Sequence, residues 1–303
     1  MSESKVISIV DDYGTTLRGL AWEVNNAKAN VFIFQGMEEY SKRYDYVAKE
    51  LNKNGYNVYG LDCYGQGLNA GDNLENLGIW PKHGFNKQID AYDKFIRSKK
   101  KEGLKNYLYC FSMGSFMGQG YIQRYSENVD AVILSGSGGK NVAVPFGFCL
   151  AKIIVNKKNQ YKKAKLLSKL MFGNFNDKIP DAKTPFDWIS VDKANIDAYN
   201  ADPRCGFGSR NVFCLEFLRG MNGLYQSKGL NGIRKDLPIY LMTGDQDQVT
   251  GYSKITFKLK KMYNKLGIDN VSTKVYKGYR HEVHNEKVIR DKVIKDIIAF
   301  FEA

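Results

Sequence analysis

Histidine and proline are scarce in this 303-residue chain, with three and six residues respectively. Any imidazole chemistry must therefore use His83, His281 or His284. The 29 glycines follow no period, which together with so little proline excludes collagen-like and proline-rich classes. A long apolar run is also missing. The longest nearly apolar stretch, Val142 to Val155, is broken by Lys152 and is too short to span a bilayer. The segment Met1-Ser2-Glu3-Ser4-Lys5 has no basic-then-apolar targeting pattern. Five cysteines, Cys63, Cys110, Cys149, Cys205 and Cys214, show no CxxC or other metal spacing, and their odd number points to reduced thiols. These absences predict a soluble, cytoplasmic protein without a metal site.

What is present fits one large domain or a domain with an insertion. The 43% hydrophobic and 25% charged residues suit a packed core and argue against global disorder. The net charge of +13 comes mainly from lysine rather than arginine, whose planar fork serves phosphate and base recognition better. The excess thus predicts a solvated lysine-rich surface, with peripheral contact to an anionic membrane or acidic substrate as the alternative. No nucleic-acid partner is expected, and the sequence says nothing about oligomeric state.

Short apolar runs alternate with helical patterns. Val6 to Val10 and Leu17 to Val24 read as a hairpin around Asp11-Asp12-Tyr13-Gly14. Further β-like runs lie at 30–34, 57–61, 107–110, 132–134, 239–242 and 271–276, apolar on both faces as in a covered parallel sheet. Between them, Phe85, Ile89, Tyr92 and Ile96 form one helical stripe. Ile255, Leu259, Met262 and Leu266 form a second before Gly267, and Ile289, Val293, Ile297 and Phe300 a third within 288–301. The expected class is α/β, a mostly parallel sheet with helices on both faces. Residues 139–232 break the rhythm, with no clear strand and seven lysines but no acid between Lys152 and Lys169. They read as a helical insertion, a cap or lid, into a core formed by 1–138 and 233–303.

The sharpest chemical signal is Tyr107-Leu108-Tyr109-Cys110-Phe111-Ser112-Met113-Gly114-Ser115. It resembles G-x-S-x-G with Cys110 replacing the first glycine. A serine at a strand-to-helix turn has its hydroxyl lifted off the sheet, and the helix N-terminus aims free N–H groups and its positive dipole end at developing negative charge. A helix N-cap serine would read the same way. Two later segments weigh against that. Thr243-Gly244-Asp245-Gln246-Asp247 ends one strand with carboxylates, and Tyr279-Arg280-His281 ends the last with an imidazole. The order Ser, Asp, His beyond parallel strand ends suits nucleophilic catalysis, and ligands of open α/β sheets sit there. His83 reads as a loop residue and His284 as part of the final helix, leaving His281 as base. Asp245 and Asp247 both remain available. Asp247 lies farther out, where a loop can curl toward His281, and Asp245 suits turn chemistry after Gly244.

These segments resemble the α/β-hydrolase superfamily, specifically its monoacylglycerol lipase and lysophospholipase group, over residues 5–140 and 235–303. Gln35 to Tyr44 is similar to H-G-M-x-E-H-S-x-R-Y, Asp62 to Gly67 to D-x-x-G-H-G, Gly244 to Val249 to G-x-x-D-P-V, and Tyr276 to Glu286 to Y-x-G-x-R-H-E-x-x-N-E. Phe186 to Ser190 and Tyr199 to Phe207 are similar to insertion segments of bacterial members, where Trp188 and Cys205 read as structural. Gln35, Tyr40, Gln66 and Phe111 stand where the group has histidine, and Cys110 where it has glycine.

The resemblance implies a serine hydrolase with Ser112 as nucleophile, His281 as base and Asp247 as its orienting acid, the oxyanion meeting the backbone N–H groups of Met37 and Met113. No cofactor is implied. The implied substrate is a carboxylic ester, first a monoacylglycerol or lysophospholipid, second a short-chain ester or thioester, and sequence does not separate hydrolysis from acyl transfer. Without an HGGPG-type loop or acidic amine-binding cluster, peptidase activity is not expected. The substituted histidines keep a catalytically silent binding protein as the contrasting reading.

Overall fold

The computed structural model describes residues 3–173 and 175–303. A hairpin of β1 (Lys5–Val10) and β2 (Thr16–Trp22) begins the chain. It is followed by β3 (Ala29–Phe34), β4 (Tyr56–Leu61), β5 (Lys105–Phe111), β6 (Ala131–Ser135), β7 (Ile239–Gly244) and β8 (Val271–Tyr276). They form one sheet ordered β1-β2-β4-β3-β5-β6-β7-β8. The β1–β2 and β2–β4 pairs are antiparallel, and every other pair is parallel. The second strand ends earlier than its apolar run, at Trp22, because the Val24 N–H donates to the Asn57 side chain at 3.0 Å.

Central strands are apolar on both faces because both are covered. Along β3, Val31 and Ile33 enter a core with α1 (Asp45–Lys53) and α10 (Arg290–Glu302). Phe32 and Phe34 enter the opposite core with α2 (Gly84–Lys99), α3 (Met113–Tyr125) and α9 (Lys254–Lys265). Phe34 stacks on Tyr92 of α2 with centroids 3.8 Å apart. Each such buried side chain contributes about 1.5–3 kcal/mol over exposure. The α2 stripe is buried as the periodicity predicts. In α10 the inward face is Val293, Ile294, Ile297 and Phe301, while Phe300 is half-buried against Tyr240, since a register anchored on Val293 repeats at i+4 through Ile297 to Phe301.

Between β6 and β7 lie α4 (Ala143–Ile154), α5 (Lys165–Phe172), α6 (Lys193–Ala201), α7 (Asn211–Gly223) and the short α8 (Ser227–Asn231). Among the described residues, the one extended pairing in this helical insertion is an isolated bridge from Lys163 to Arg210. The five cysteines are unpaired, Cys149 alone being exposed. Among the described residues no helix is long and apolar enough to cross a membrane.

Candidate active site

The turn from β5 into α3 holds a non-glycine residue at positive φ. Ser112 occupies it with φ 51 and ψ −117, a conformation costing a non-glycine residue about 1–3 kcal/mol. Surrounding contacts enforce it. The Ser112 N–H donates to Ser135 O at 3.0 Å, and the Ser115 N–H and hydroxyl both donate back to Ser112 O. A Cβ on Gly114 would lie 1.9 Å from Phe34 O, so only glycine lets α3 start directly against the end of β3. The departure at Cys110 is absorbed elsewhere. A Cβ on Gly118 would lie 2.7 Å from Cys110 Sγ, so the helix supplies the space that the motif's first glycine would otherwise provide.

Beyond the strand ends the three predicted side chains meet. His281 Nε2 lies 2.8 Å from Ser112 Oγ, and His281 Nδ1 lies 3.0 Å from Asp247 Oδ2. The second contact is oblique, close enough for an ion pair but outside hydrogen-bond geometry. Such contacts commonly tighten only when substrate is bound. Both His281 and Asp247 are buried. Asp247 Oδ1 accepts from the Val249 N–H at 2.9 Å and Oδ2 from the Thr243 hydroxyl at 3.1 Å, leaving that edge turned to His281. Asp245 is held elsewhere, accepting from the Gly278 N–H at 2.8 Å.

The imidazole lies in a fitted slot. A Cβ on Gly136 would lie 2.7 Å from His281 Cε1, and the Phe111 and Trp188 rings lie 4.7 and 5.1 Å from its centroid. Thr243, Gly136 and Trp188 were not singled out as site residues in the sequence. Trp188 had a usable signal, its insertion motif, but its contact with a residue 93 positions later does not follow from local pattern. His284 does not enter the final helix as periodicity suggested. It lies in the preceding turn, stacked 5.1 Å from Tyr44, and has no hydrogen-bond partner. Burial lowers its pKa to about 4. His83 is remote from this cluster, precedes α2, and its N–H donates to Glu216 at 2.7 Å.

The loop after β3 carries Met37. Its neighbours are tied down, the Gly36 N–H by Glu39 Oε1 at 2.5 Å and the Glu38 N–H by Gln66 Oε1 at 2.6 Å. The Met37 N–H between them donates to no described group, and neither does that of Met113 at the start of α3. The substituted residues have found partners: Gln35 Nε2 donates to Glu39 O at 2.7 Å, and the Tyr40 hydroxyl to Asp202 at 2.8 Å. Behind this loop, Arg43 bridges Glu39 at 3.1 Å and Glu282 at 2.6 Å. Burial and the charge of Glu282 raise Glu39 to about 7, whereas at Glu282 burial, the largest single influence, is outweighed by Arg43, His284 and Asn195 together, which pull it below its usual range.

A cavity of about 1450 Å³ opens over Ser112, His281, Met37 and Met113. Its walls are largely apolar: Phe116 from the core, Val144 and Phe146 from α4, and Phe217, Leu218 and Met221 from α7. A second cavity of about 860 Å³, near Arg18, Lys82 and Arg219, contains none of these groups. Among the described residues no His, Cys, Asp and Glu cluster could hold a metal ion.

The profile of the family described as serine aminopeptidase, S33, matches residues 25–288. The chain belongs to this hydrolase family. The monoacylglycerol lipase of Mycolicibacterium smegmatis is 27% identical over 274 residues, covering 89% of this chain and 88% of that protein. The fold is that of the α/β-hydrolases. A thermostable carboxyl esterase from Bacillus coagulans, in complex with glycerol, superposes with a TM-score of 0.88 at 24% identity, over 100% of this chain and 98% of that one. A soluble variant of the Saccharomyces cerevisiae monoglyceride lipase, in complex with a substrate analogue, superposes with a TM-score of 0.77 at 19% identity, over 100% and 95%.

Proposed function

We propose that this family member is a carboxylic ester hydrolase acting through an acyl-enzyme on Ser112, with a monoacylglycerol as preferred substrate. The observation that carries the reading is the Ser112–His281–Asp247 chain of contacts, 2.8 and 3.0 Å long, at the floor of a large apolar cavity. His281 Nε2 takes the hydroxyl proton as Oγ attacks the ester carbonyl, and Asp247 holds the ring in the tautomer this needs. The N–H groups of Met113 and Met37 meet the oxyanion, and the protonated imidazole then returns the proton to the leaving alcohol. Water activated by His281 releases the acid.

The family's name raises aminopeptidase activity as a second reading. Binding a free amino terminus requires an unpaired carboxylate in the cavity. The three acids lining it are already engaged: Glu39 and Glu282 with Arg43, and Glu38 with Ser209 and Gly208. The apolar walls suit an acyl chain instead, and the two lipase relatives support a glycerol ester over a lysophospholipid.

The insertion, residues 139–232, acts as a cap over this cavity. It leaves Val142, Phe146 and Ile153 78, 78 and 80% exposed, the first two also lining the cavity, beside the lysines of 152–169. That pairing of apolar and basic groups suits peripheral contact with an anionic membrane. Five unpaired cysteines suit a reducing, cytoplasmic location.

The test of the chemistry is labelling by a fluorophosphonate, expected for the native protein and absent in Ser112→Ala; an unlabelled native protein rejects the serine mechanism. For the substrate, hydrolysis of p-nitrophenyl esters of about two to about sixteen carbons should favour the longer chains. A steep fall beyond about four carbons leaves a small esterase.

A further inference from the structure

Glu38 sits one residue beyond the Met37 N–H and has an unusual backbone, with φ 56 in the left-handed region that favours glycine. Every polar group of this residue is engaged, and the engagements point two ways. Its N–H donates to Gln66 in the core at 2.6 Å. Its carbonyl accepts from the Gly206 N–H and the Tyr199 hydroxyl, both at 3.0 Å, and its carboxylate accepts from the Ser209 hydroxyl at 2.5 Å and the Gly208 N–H at 3.0 Å. Four of the five contacts therefore come from residues 199–209 of the insertion. The Glu38 main chain is the hinge pin between that segment and the loop bearing Met37.

We propose that Glu38 is a positioning residue that ties the docking of insertion residues 206–209 to the orientation of the Met37 N–H. This rests on the reading of Met37 as an oxyanion donor. Two observations set the link. Gly36 and Glu38 are both anchored through their N–H groups, so the Met37 peptide between them turns only if one anchor moves. The Glu38 anchor is in turn held by its carboxylate, which accepts from Ser209 and the left-handed Gly208 of the insertion loop, while the left-handed Gly206 holds its carbonyl. A rigid donor stabilises an oxyanion because it needs no reorganisation as charge develops. Undocking the 206–209 loop would free the Glu38 carbonyl and carboxylate together and let the Met37 N–H swing. Catalytic competence is thereby conditional on a seated cap.

Three variants test this, with kcat expressed per fluorophosphonate-labelled site. Glu38→Gly keeps the left-handed backbone and removes the carboxylate. Its kcat on a p-nitrophenyl ester should fall about tenfold to a hundredfold, short of the loss from deleting a donor outright, with KM within about threefold. Glu38→Gln, which retains one acceptor oxygen, should recover part of the loss. Ser209→Ala, distant from the nucleophile in sequence, should show the same split in smaller degree and stands in if Glu38→Gly does not fold. Amide hydrogen exchange at 36–39 and 206–209 should quicken together in Glu38→Gly. Unchanged kcat per labelled site in both Glu38→Gly and Ser209→Ala overturns the proposal while leaving the serine mechanism intact, as does a change confined to KM. If the native protein neither hydrolyses esters nor labels, the functional reading fails instead. Exchange then decides the clamp, and unaltered rates at Met37 and Glu38 refute it.

Discussion

Replacing Gly118 by alanine sets two effects against each other, and the structure says which wins. In a helix interior, alanine is favoured over glycine by about 1 kcal/mol. In α3, however, the new Cβ would lie 2.7 Å from Cys110 Sγ, 3.0 Å from Cys110 Cβ and 3.1 Å from Leu134 Cδ2. Cys110 is fully buried on β5 and its Cβ is fixed by the strand, so the helix must shift, at about 1–3 kcal/mol for overpacking. Gly118→Ala should therefore gain nothing and lose up to about 2 kcal/mol. Introduced with Cys110→Gly, the same alanine fills space the thiol has vacated and recovers its helix advantage. The expected coupling is about 1–3 kcal/mol, read from urea midpoints of the four proteins at constant m. The displaced α3 N-terminus should also lower ester turnover in Gly118→Ala, with recovery in the double variant. Additivity within about 0.5 kcal/mol would refute the claim that Gly118 makes room for Cys110.

Three other substitutions probe the same site. Ser112→Gly should be more stable than Ser112→Ala by about 1 kcal/mol, reversing the usual order, because φ 51 strains any residue with a Cβ; equal urea midpoints would remove the strain argument. His284 is buried with both ring nitrogens unpartnered, and its pKa is lowered from 6.5 to about 4. The unfolded chain takes the proton first, so stability present above pH 6.5 is lost as pH falls toward 4, by about 3 kcal/mol. His284→Phe should flatten that loss, and parallel curves for the two proteins count against it. Arg43→Met strands Glu39 and Glu282, so it should cost about 3–5 kcal/mol above pH 7 and less near pH 5, where the carboxyls protonate; a pH-independent cost would show that the pairing is not the cause.

Much of the fold was legible because covered parallel strands and amphipathic helices leave periodic marks. The apolar run at 30–34 needs no partner to be recognised, and the 85–96 stripe declares its buried face. Errors fell where neighbours decide. Val24 leaves the second strand because a side chain from β4 takes its N–H, and His284 sits outside the final helix because Tyr44 and Phe111 close over it. Neither contact has a local signature. Trp188 was read as structural, but only the folded chain puts its ring against His281.

By itself the sequence determined the α/β class and limited the candidate imidazoles to three. Each follows from spacing within one element or from the shortage of alternatives. Tertiary structure alone decided how Asp247, already favoured as the acid, is held to face His281, that Gly118 accommodates Cys110, and that Glu38 belongs as much to the insertion as to its own loop. Those outcomes depend on distances of a few ångströms between segments distant in the chain, and packing, not periodicity, sets such distances.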